Sequence, residues 1–597
     1  MTFFLRYLTL VCLVLVGFAG LPMLLSCGSS EGDSTTGNGA AAAAATKAEA
    51  GPQPTLDSTY VIKLMRAQAK FKDHELAARR FYRDRQFSLG WFKNHQVVSR
   101  AQDLLNIIAK AEDEGLNPKD YQLIDFKKLY NDLEQARSDT ARRNALEREI
   151  DVNLTGTYLD WASDYYRGIA NPRDVKGSAW KVKPNKIKLH KALLTFLGER
   201  QSTRYNYYEF APLHPEYDQL KKALAAYRAQ EQAGGWPTLP ATLTLKPGQT
   251  SAAVPALRQR LLGGAGSPGG GQASAPAATS ASTKTGVGGA GDVAAAATAD
   301  PAQVYDPTLV AAVKTFQTDA GLKSDGVVAG ATLKQLNVPI SQRIDQLILN
   351  MERWRWLPKR FEDDYLLVNI PEYKLHVVEG GKEAFNMRVI VGKALNATPI
   401  FSDKMEYVVL APYWNVPYSI IDKELRSKLI NNPNYLDRLD MEVVKGYGRK
   451  ATRVDPSSIN WAGVTQDNFK YTLRRRPGPK NDLGDVKFIF PNSNDVYLHD
   501  TPHNELFSQS QRSFSHGCVR VEEPIKLATY LLRNQPTWTK QTIQDTIARR
   551  KEKYVTMKEK LPVYLVYFTA WADADGHPHF RDDIYGHDKT LAKEYFN

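Results

Sequence analysis

The chemistry in this sequence gathers around one thiol. Cys518 stands in the run Ser515-His516-Gly517-Cys518-Val519-Arg520. Of the three cysteines, Cys12 lies inside an apolar N-terminal run and Cys27 directly after it, which leaves Cys518 alone in the body of the chain. In an exported protein, where disulfides form readily, a lone thiol is either buried and inert or kept for its reactivity. The attacking species is the thiolate, and a neighbouring imidazole can generate it at neutral pH. His499, in Tyr497-Leu498-His499-Asp500-Thr501-Pro502, is the candidate base. A strand that ends at His499 and a turn at Gly517 can carry both side chains to one cleft. Gly517 permits close approach of the main chain to a substrate, and the N–H groups around Gly517 and Cys518 can then face a developing oxyanion. Tyr497 lies on the His499 side of the strand, where it either holds substrate or packs into the core. The Asp500 side chain alternates to the other side, which argues against a carboxylate triad.

Other chemistries fit these residues less well. His499, His503, His516 and Cys518 include spacings familiar from zinc sites. Pro502 argues against the helix that would put His499 and His503 on one face, so no metal or other cofactor is expected. An inert core thiol would make the whole His499, His516-Gly517-Cys518 pattern an accident. A cysteine peptidase uses the same thiol–imidazole pair, and the local residues leave that open. The net charge of +13 suits an anionic neighbour such as a wall polymer, a lipid headgroup or a nucleic acid. No nucleic-acid motif accompanies it. The densest basic run, Arg474-Arg475-Arg476, ends at Pro477 and reads as a solvated loop.

These residues need a scaffold, and 597 residues imply three or more domains. The expected fold class is multidomain α+β. Arg6, the apolar run Tyr7–Leu25 and Ser26-Cys27-Gly28 read as a secretory signal over 1–26. A Cys at that point resembles a bacterial lipobox, with Cys27 lipidated; an uncleaved membrane anchor is the alternative. Either way the rest of the chain lies outside the cytoplasm. Residues 27–55, rich in Gly, Ala, Ser and Thr, form a tether. Residues 56–240 are helical: Leu104, Leu105, Ile108 and Ala111, then Leu154, Tyr158, Trp161 and Tyr165, fall at helix spacing. Residues 241–337 form a small helical module with helix faces at Val254, Leu257, Leu261 and at Leu309, Val313, Phe316, interrupted by a disordered insertion at 263–299. A linker helix occupies 341–357. From Tyr365 the period changes to two, with strands expected at Tyr365–Ile370, Leu375–Val378, Met387–Val391, Tyr407–Leu410, Lys487–Phe490, Val496–His499 and Val563–Phe568, and one helix near Pro524–Arg533. This β body spans 362–570 and is broken by an irregular insertion at 412–484, of a length that is usually functional. Residues 571–597 are a C-terminal extension.

At His499 and Ser515-His516-Gly517-Cys518-Val519-Arg520 the chain resembles the L,D-transpeptidase, or YkuD-like, catalytic domain family. Its signature is a His, a gap, then Ser/Thr-His-Gly-Cys, an apolar residue and Arg or Asn. A looser resemblance, to large multidomain members with a helical scaffold and a wall-binding module, covers most of the mature chain. Val313-Lys314-Thr315-Phe316-Gln317, Gly321-Leu322 and Asp325-Gly326-Val327-Val328 resemble the three-helix peptidoglycan-binding domain, although Ala329-Gly330 replaces that family's usual Gly-Pro. Pro412-Tyr413-Trp414-Asn415-Val416-Pro417 resembles the start of a substrate-capping insertion. The resemblance implies Cys518 as nucleophile, His499 as general base and the Asp500 main-chain carbonyl as its orienter. It places His516 and Gly517 at the oxyanion pocket. Arg520 is then a partner for a substrate carboxylate or a structural ion-pair member, and Tyr497, Trp414 and Ser515 are substrate-binding candidates. The implied activity is 3→3 crosslinking of peptidoglycan in cell-wall remodelling. A donor tetrapeptide stem would acylate Cys518, and the amine of a second stem would resolve the thioester. Water in that role would make the site an L,D-carboxypeptidase; a free D-amino acid would make it an exchange enzyme. A non-catalytic wall-binding lipoprotein is the alternative of another class. The implied location is the periplasmic face of the cell envelope, on a membrane through a lipid at Cys27. The aromatic residues of 412–484 and Arg474–Arg476 are expected to form a mobile cap that holds the stem.

Overall fold

In the computed structural model the described residues are 52–122, 124–175, 187–198, 214–263, 300–446, 450–573 and 576–596. The signal over 1–26, Cys27, most of the tether and the insertion beyond Gly263 lie outside them. Among the described residues no helix is long and apolar enough to cross a membrane.

The N-terminal region is helical: α1 (Ser58–Ala67), α2 (Glu75–Asp84), α3 (Ser99–Ala109), α4 (Phe126–Gln135), α5 (Thr140–Arg167), α6 (Leu189–Phe196) and α7 (Pro215–Gln232). The Asp139 carboxylate caps α5 by accepting from the Arg142 N–H at 3.0 Å. Leu154, Tyr158, Trp161 and Tyr165 line one buried face of α5, at the spacing the sequence shows, and pack with Phe81, Trp91 and Phe196. The small module follows with α8 (Val254–Leu262), α9 (Pro307–Asp319) and α10 (Gly330–Leu336). Asp306 caps α9, and Leu257, Leu261, Leu309, Val313 and Phe316 form a separate core with Leu333 and Leu336.

Helix α11 (Ile340–Trp356) is more than the linker its sequence suggests, because every residue from Leu347 to Trp356 is buried. On one side the Glu352 carboxylate accepts from the Ala170 N–H at 2.9 Å, and Arg355 donates to the Glu114 carbonyl. On the other, Asn350 pairs with Thr569, Arg353 pairs with Asp588 at 2.6 Å, and Trp354 stacks on Phe568. This one helix therefore fastens the helical region to the β body.

The β body contains β1 (Tyr365–Asn369), β2 (Lys374–Glu379), β3 (Lys382–Gly392) and β4 (Phe401–Leu410). The insertion adds β5 (Trp414–Asn415), β6 (Met441–Lys445), β7 (Thr452–Val454) and β8 (Thr472–Arg475). The body resumes with β9 (Val486–Ile489), β10 (Leu498–His499), β11 (Ser513–Ser515), β12 (Val519–Val521) and β13 (Lys553–Val566). The large sheet runs β11-β3-β12-β10-β9-β4-β13-β1-β2, and β2 also pairs with β3, so the sheet returns on itself. Helices α12 (Pro524–Leu531) and α13 (Lys540–Ala548) pack on it; the sequence pattern had shown only the first. Strand β13 begins ten residues before the run that the alternation marked, because exposed Lys and Glu fill its first half.

The insertion is not irregular. Strands β5 to β8 form a sheet in the order β5-β8-β6-β7, and Val416, Ile421, Leu429, Met441, Trp461 and Leu473 build a core of its own beneath it. Its neck is closed by buried Asn481, whose amide donates to the Pro412 and Arg476 carbonyls. The C-terminal extension also folds onto the body. A hairpin, β14 (Ala570–Ala572) with β15 (Pro578–Phe580), leads to α14 (His587–Tyr595), and the Tyr595 hydroxyl reaches the Gly115 carbonyl at 3.0 Å.

Candidate active site

Strand register brings the candidate residues together. Parallel pairing sets Leu498 beside Val519 and His499 beside Arg520; antiparallel pairing sets Phe488 beside Leu498 and Lys487 beside His499. Phe488, Leu498 and Val519 are fully buried in the core. Residues directly opposite one another on neighbouring strands share a face, so Lys487, His499 and Arg520 form a row on the other face. Tyr497 and Cys518, each two positions earlier on its chain, project to that same side. Three neighbouring strands thus place a thiol, an imidazole, a phenol and two cations over one patch of sheet.

His499 is buried, and its Nδ1 donates to the Asp500 carbonyl at 2.5 Å. That bond fixes the tautomer: the proton sits on Nδ1 and Nε2 is left bare, as a base requires. Burial, with the Arg520 charge second, holds the ring well below its ordinary value, at about 3, so it is neutral at pH 7. The Asp500 side chain turns away from the ring. Its Oδ2 accepts from the Asp485 N–H at 2.7 Å and its Oδ1 from the Thr501 N–H at 2.7 Å, and burial lifts the carboxyl to about 6. Asp500 therefore acts on His499 through its main chain.

Cys518 is half-buried, and burial pushes its thiol up. The Tyr497 main chain and hydroxyl and the Lys487 charge oppose that rise. The Sγ also lies 3.9 Å from the Asp495 carbonyl. Tyr497 packs edge-on to the His499 ring at 5.7 Å. It is thus a partner of the thiol, closer to the chemistry than the substrate-holding or core-packing role its sequence position suggested. Arg520 is mostly buried, and among the described residues it forms no ion pair; its Nε has no acceptor.

The turn before Cys518 is held from below. Gly517 has φ +119, a conformation that favours glycine. Ser515 is buried, its hydroxyl donating to the Cys518 carbonyl at 2.5 Å and accepting from the Gly517 N–H at 3.1 Å. Two sequence expectations are corrected here. Ser515 ties the turn and does not face substrate, and the Gly517 N–H is already engaged and so is not an oxyanion donor. The Cys518 N–H has no acceptor among the described residues and is the donor that remains. Thr398 donates to the Gly517 carbonyl at 2.9 Å, and Tyr585 of the C-terminal segment donates to the Gly392 carbonyl next to it. His516 is half-exposed, its Nε2 3.4 Å from Glu424 of the insertion, so the insertion does meet the catalytic turn.

Other expectations for the insertion are corrected. Arg474 pairs with Glu442, Arg475 with Asp482, and Arg476 with Asp440 and Glu442. They are the sheet's internal ion pairs, neither a solvated loop nor free clamps for a carboxylate. Trp461 is buried in the insertion's core, and Trp414 lies beneath Arg475 at 5.5 Å on the edge of the same core. Trp414 has its partners in the insertion, not at the thiol. The zinc spacing also comes apart, since His503 is exposed and pairs with Glu505 at 3.5 Å while His499 is buried. Among the described residues no group of three or more His, Cys, Asp or Glu converges as metal ligands do.

Sequence reasoning missed Lys487. Its Nζ stands 3.7 Å over the Tyr497 ring, and burial pushes its ammonium down. The only signal was its place at the start of a run read as a strand.

Residues 363–544 match the model of the L,D-transpeptidase catalytic domain, and they contain every residue of this row. The chain carries an L,D-transpeptidase domain. Residues 77–224 match the model described as a scaffold domain, and 294–336 that described as "Putative peptidoglycan binding domain". A curated protein of Haemophilus influenzae named "Putative L,D-transpeptidase" is 36% identical over 246 residues, covering 41% of this chain and 48% of that protein. The chain thus spans about half the length of this curated relative. Two solved structures also match: an L,D-transpeptidase of Xylanimonas cellulosilytica (16% identity, 55% of this chain and 99% of that one, TM-score 0.16) and the Ldtfm-avibactam carbamoyl enzyme (12% identity, 45% and 83%, TM-score 0.15). The identification of the L,D-transpeptidase domain rests on the matched domain model and the curated relative.

Proposed function

We propose that this protein is a lipid-anchored L,D-transpeptidase of the cell envelope, which forms 3→3 crosslinks through a thioester on Cys518. The observation that carries the reading is the single face shared by Cys518, Tyr497, His499 and Arg520, with His499 Nδ1 held by a carbonyl and Nε2 bare. The resting pair is a neutral thiol and a neutral imidazole, so proton transfer accompanies attack. The Cys518 Sγ attacks the carbonyl carbon of the third stem residue while its proton passes to His499 Nε2. The carbonyl oxygen takes the charge, with the Cys518 N–H as donor. The C–N bond to the terminal D-Ala breaks, and the imidazolium protonates the leaving amine. The acceptor's side-chain amine then attacks the thioester, gives up its proton to His499 and restores the thiol. Arg520, a cation on this face that forms no ion pair among the described residues, suits a stem carboxylate.

Cys27 as lipid attachment site supports a place on a membrane at the periplasmic face, and the module at 294–336 supports retention on the wall. If water resolves the thioester, the same site is an L,D-carboxypeptidase; if a free D-amino acid does, it exchanges residues. The test is incubation with disaccharide-tetrapeptide followed by mass spectrometry. Crosslinked dimer with released D-Ala supports the proposal, tripeptide alone makes the enzyme a carboxypeptidase, and unchanged tetrapeptide leaves only a wall-binding lipoprotein.

A further inference from the structure

Until it takes the Cys518 proton, His499 is neutral and adds no positive charge beside the sulfur, and the row on the sheet holds a cation that does. Lys487 lies on β9, in an interior position of the large sheet, in register with His499 on one neighbour and Val409 on the other. The Nζ ends 3.7 Å above the centre of the Tyr497 ring, and both the Tyr497 hydroxyl and the Lys487 charge pull the Cys518 thiol down against the rise that burial causes. Lys487 is half-buried, and a partly desolvated cation is costly unless something nearby uses it; among the described residues Lys487 forms no ion pair. Two carboxylates act on it from a distance. Glu552 is occupied with the Tyr413 N–H at 2.9 Å, and Asp495 stands at the turn whose carbonyl faces the thiol.

We propose that Lys487 is the fixed counter-charge of the Cys518 thiolate, a positioning residue that acts on the sulfur by its field and through Tyr497. A cation over an aromatic ring draws electron density from it, which makes the phenol a stronger donor to sulfur. The field does the rest, and both effects grow with the charge on Sγ. The other groups facing the thiol do not duplicate this. Tyr497 is neutral, and so is His499 until its Nε2 accepts the thiol proton. Asp495 is of the wrong sign. Arg520, on the far side of His499, feels Asp482 more than Cys518, and Lys487 is the cation that acts on the thiol. The proposal rests on the reading of Cys518 as the reacting thiol, but it is tested apart from turnover.

The experiment is alkylation of the full-length protein by iodoacetamide over pH 7–11, read by mass spectrometry on the peptide that contains Cys518. Lys487→Met keeps the length of the side chain and removes its charge; circular dichroism checks the fold, and Lys487→Gln replaces it if Met does not fold. Removing an opposite charge near the thiol should slow alkylation of Cys518 at pH 8 by about tenfold or more and move the midpoint to higher pH. Lys487→Arg should restore the wild-type profile. An unchanged profile in the folded Met or Gln variant overturns the proposal, and so does an Arg variant displaced as far as the Met one. Should Cys518 not be the catalytic thiol at all, that would appear separately, as turnover surviving in Cys518→Ser.

Discussion

Gly484→Ala should damage the active site from outside it, through Asp500. Gly484 has φ +59, and a Cβ added there would stand 2.3 Å from both Cγ and Oδ2 of Asp500 and 2.6 Å from its Cβ. Contacts that short cannot persist, and because Cβ itself is struck, the Asp500 main chain has to move as well as its carboxylate. The left-handed conformation costs an Ala side chain about 1–2 kcal/mol. Losing the Asp485 N–H to Oδ2 bond costs about 1–3 kcal/mol more. Asp500→Ala loses the bonds from both Asp485 and Thr501 and should be destabilised by a similar amount, about 2–4 kcal/mol. The two variants part company at His499. Asp500→Ala keeps the carbonyl that holds Nδ1, whereas Gly484→Ala displaces it. A misplacement of about 1 Å at a catalytic group costs about 10²-fold in rate. The assay is the rate of Cys518 acylation by a carbapenem, followed by intact mass, with circular dichroism to confirm folding. Gly484→Ala should lose about two orders of magnitude, and Asp500→Ala should stay within about threefold, since the group that orients the base is untouched. Equal losses would refute the orienting carbonyl, and a larger loss in Asp500→Ala would make the carboxylate the working group.

His499→Ala should slow acylation by about 10²–10⁴-fold, the usual contribution of a general base. Exposed His503→Ala should leave the rate nearly unchanged, and stopped-flow comparison of the two separates them. The acid limb of the acylation profile should fall well below pH 6.5, because His499 titrates at about 3 in the fold. The sign for stability follows from the same depressed value. The folded ring binds its proton less readily than the unfolded one, so this contribution is present above pH 6.5 and is lost as pH falls toward 3, which urea unfolding at pH 7 and pH 4 can measure. Replacing 412–484 by a short Gly/Ser turn is feasible because the Ala411 N–H already meets the Asp485 carbonyl at 2.9 Å across the neck. Loss of the insertion should shift products from crosslinked dimer toward tripeptide while acylation persists. An unchanged ratio with lower thermal stability would make the insertion a packing element only.

The fold class and the residues of the signature were legible in the sequence because their physics is local. The apolar alternation of Leu498 and Val519 against His499 and Cys518 states which side chains share a face, and the 3.6-residue spacing in α5 states which turn inward. What was not legible depends on partners far away in the chain. Arg474 and Arg476 look free until β6 brings Glu442 beside them. The core of the insertion is contributed by short apolar runs scattered from Val416 to Leu473, with no one period to reveal it. Ser515 reads as a signature residue that faces substrate, and only the positive φ at Gly517 explains why its hydroxyl folds back on the turn. Lys487 had no signal of its own, since a lysine at a strand start ordinarily points to water, and its place over the Tyr497 ring comes from the neighbours that register supplies.

The central claim is that Cys518 carries the acyl group. The direct measurement is intact-protein and peptide mass spectrometry of the wild type and Cys518→Ser during incubation with disaccharide-tetrapeptide. The account predicts a transient adduct on the Cys518 peptide in the wild type, with D-Ala released in step. It predicts neither adduct nor D-Ala from the folded Ser variant, because an alcohol is far less ionised than a thiol. D-Ala release at the wild-type rate by Cys518→Ser would contradict it.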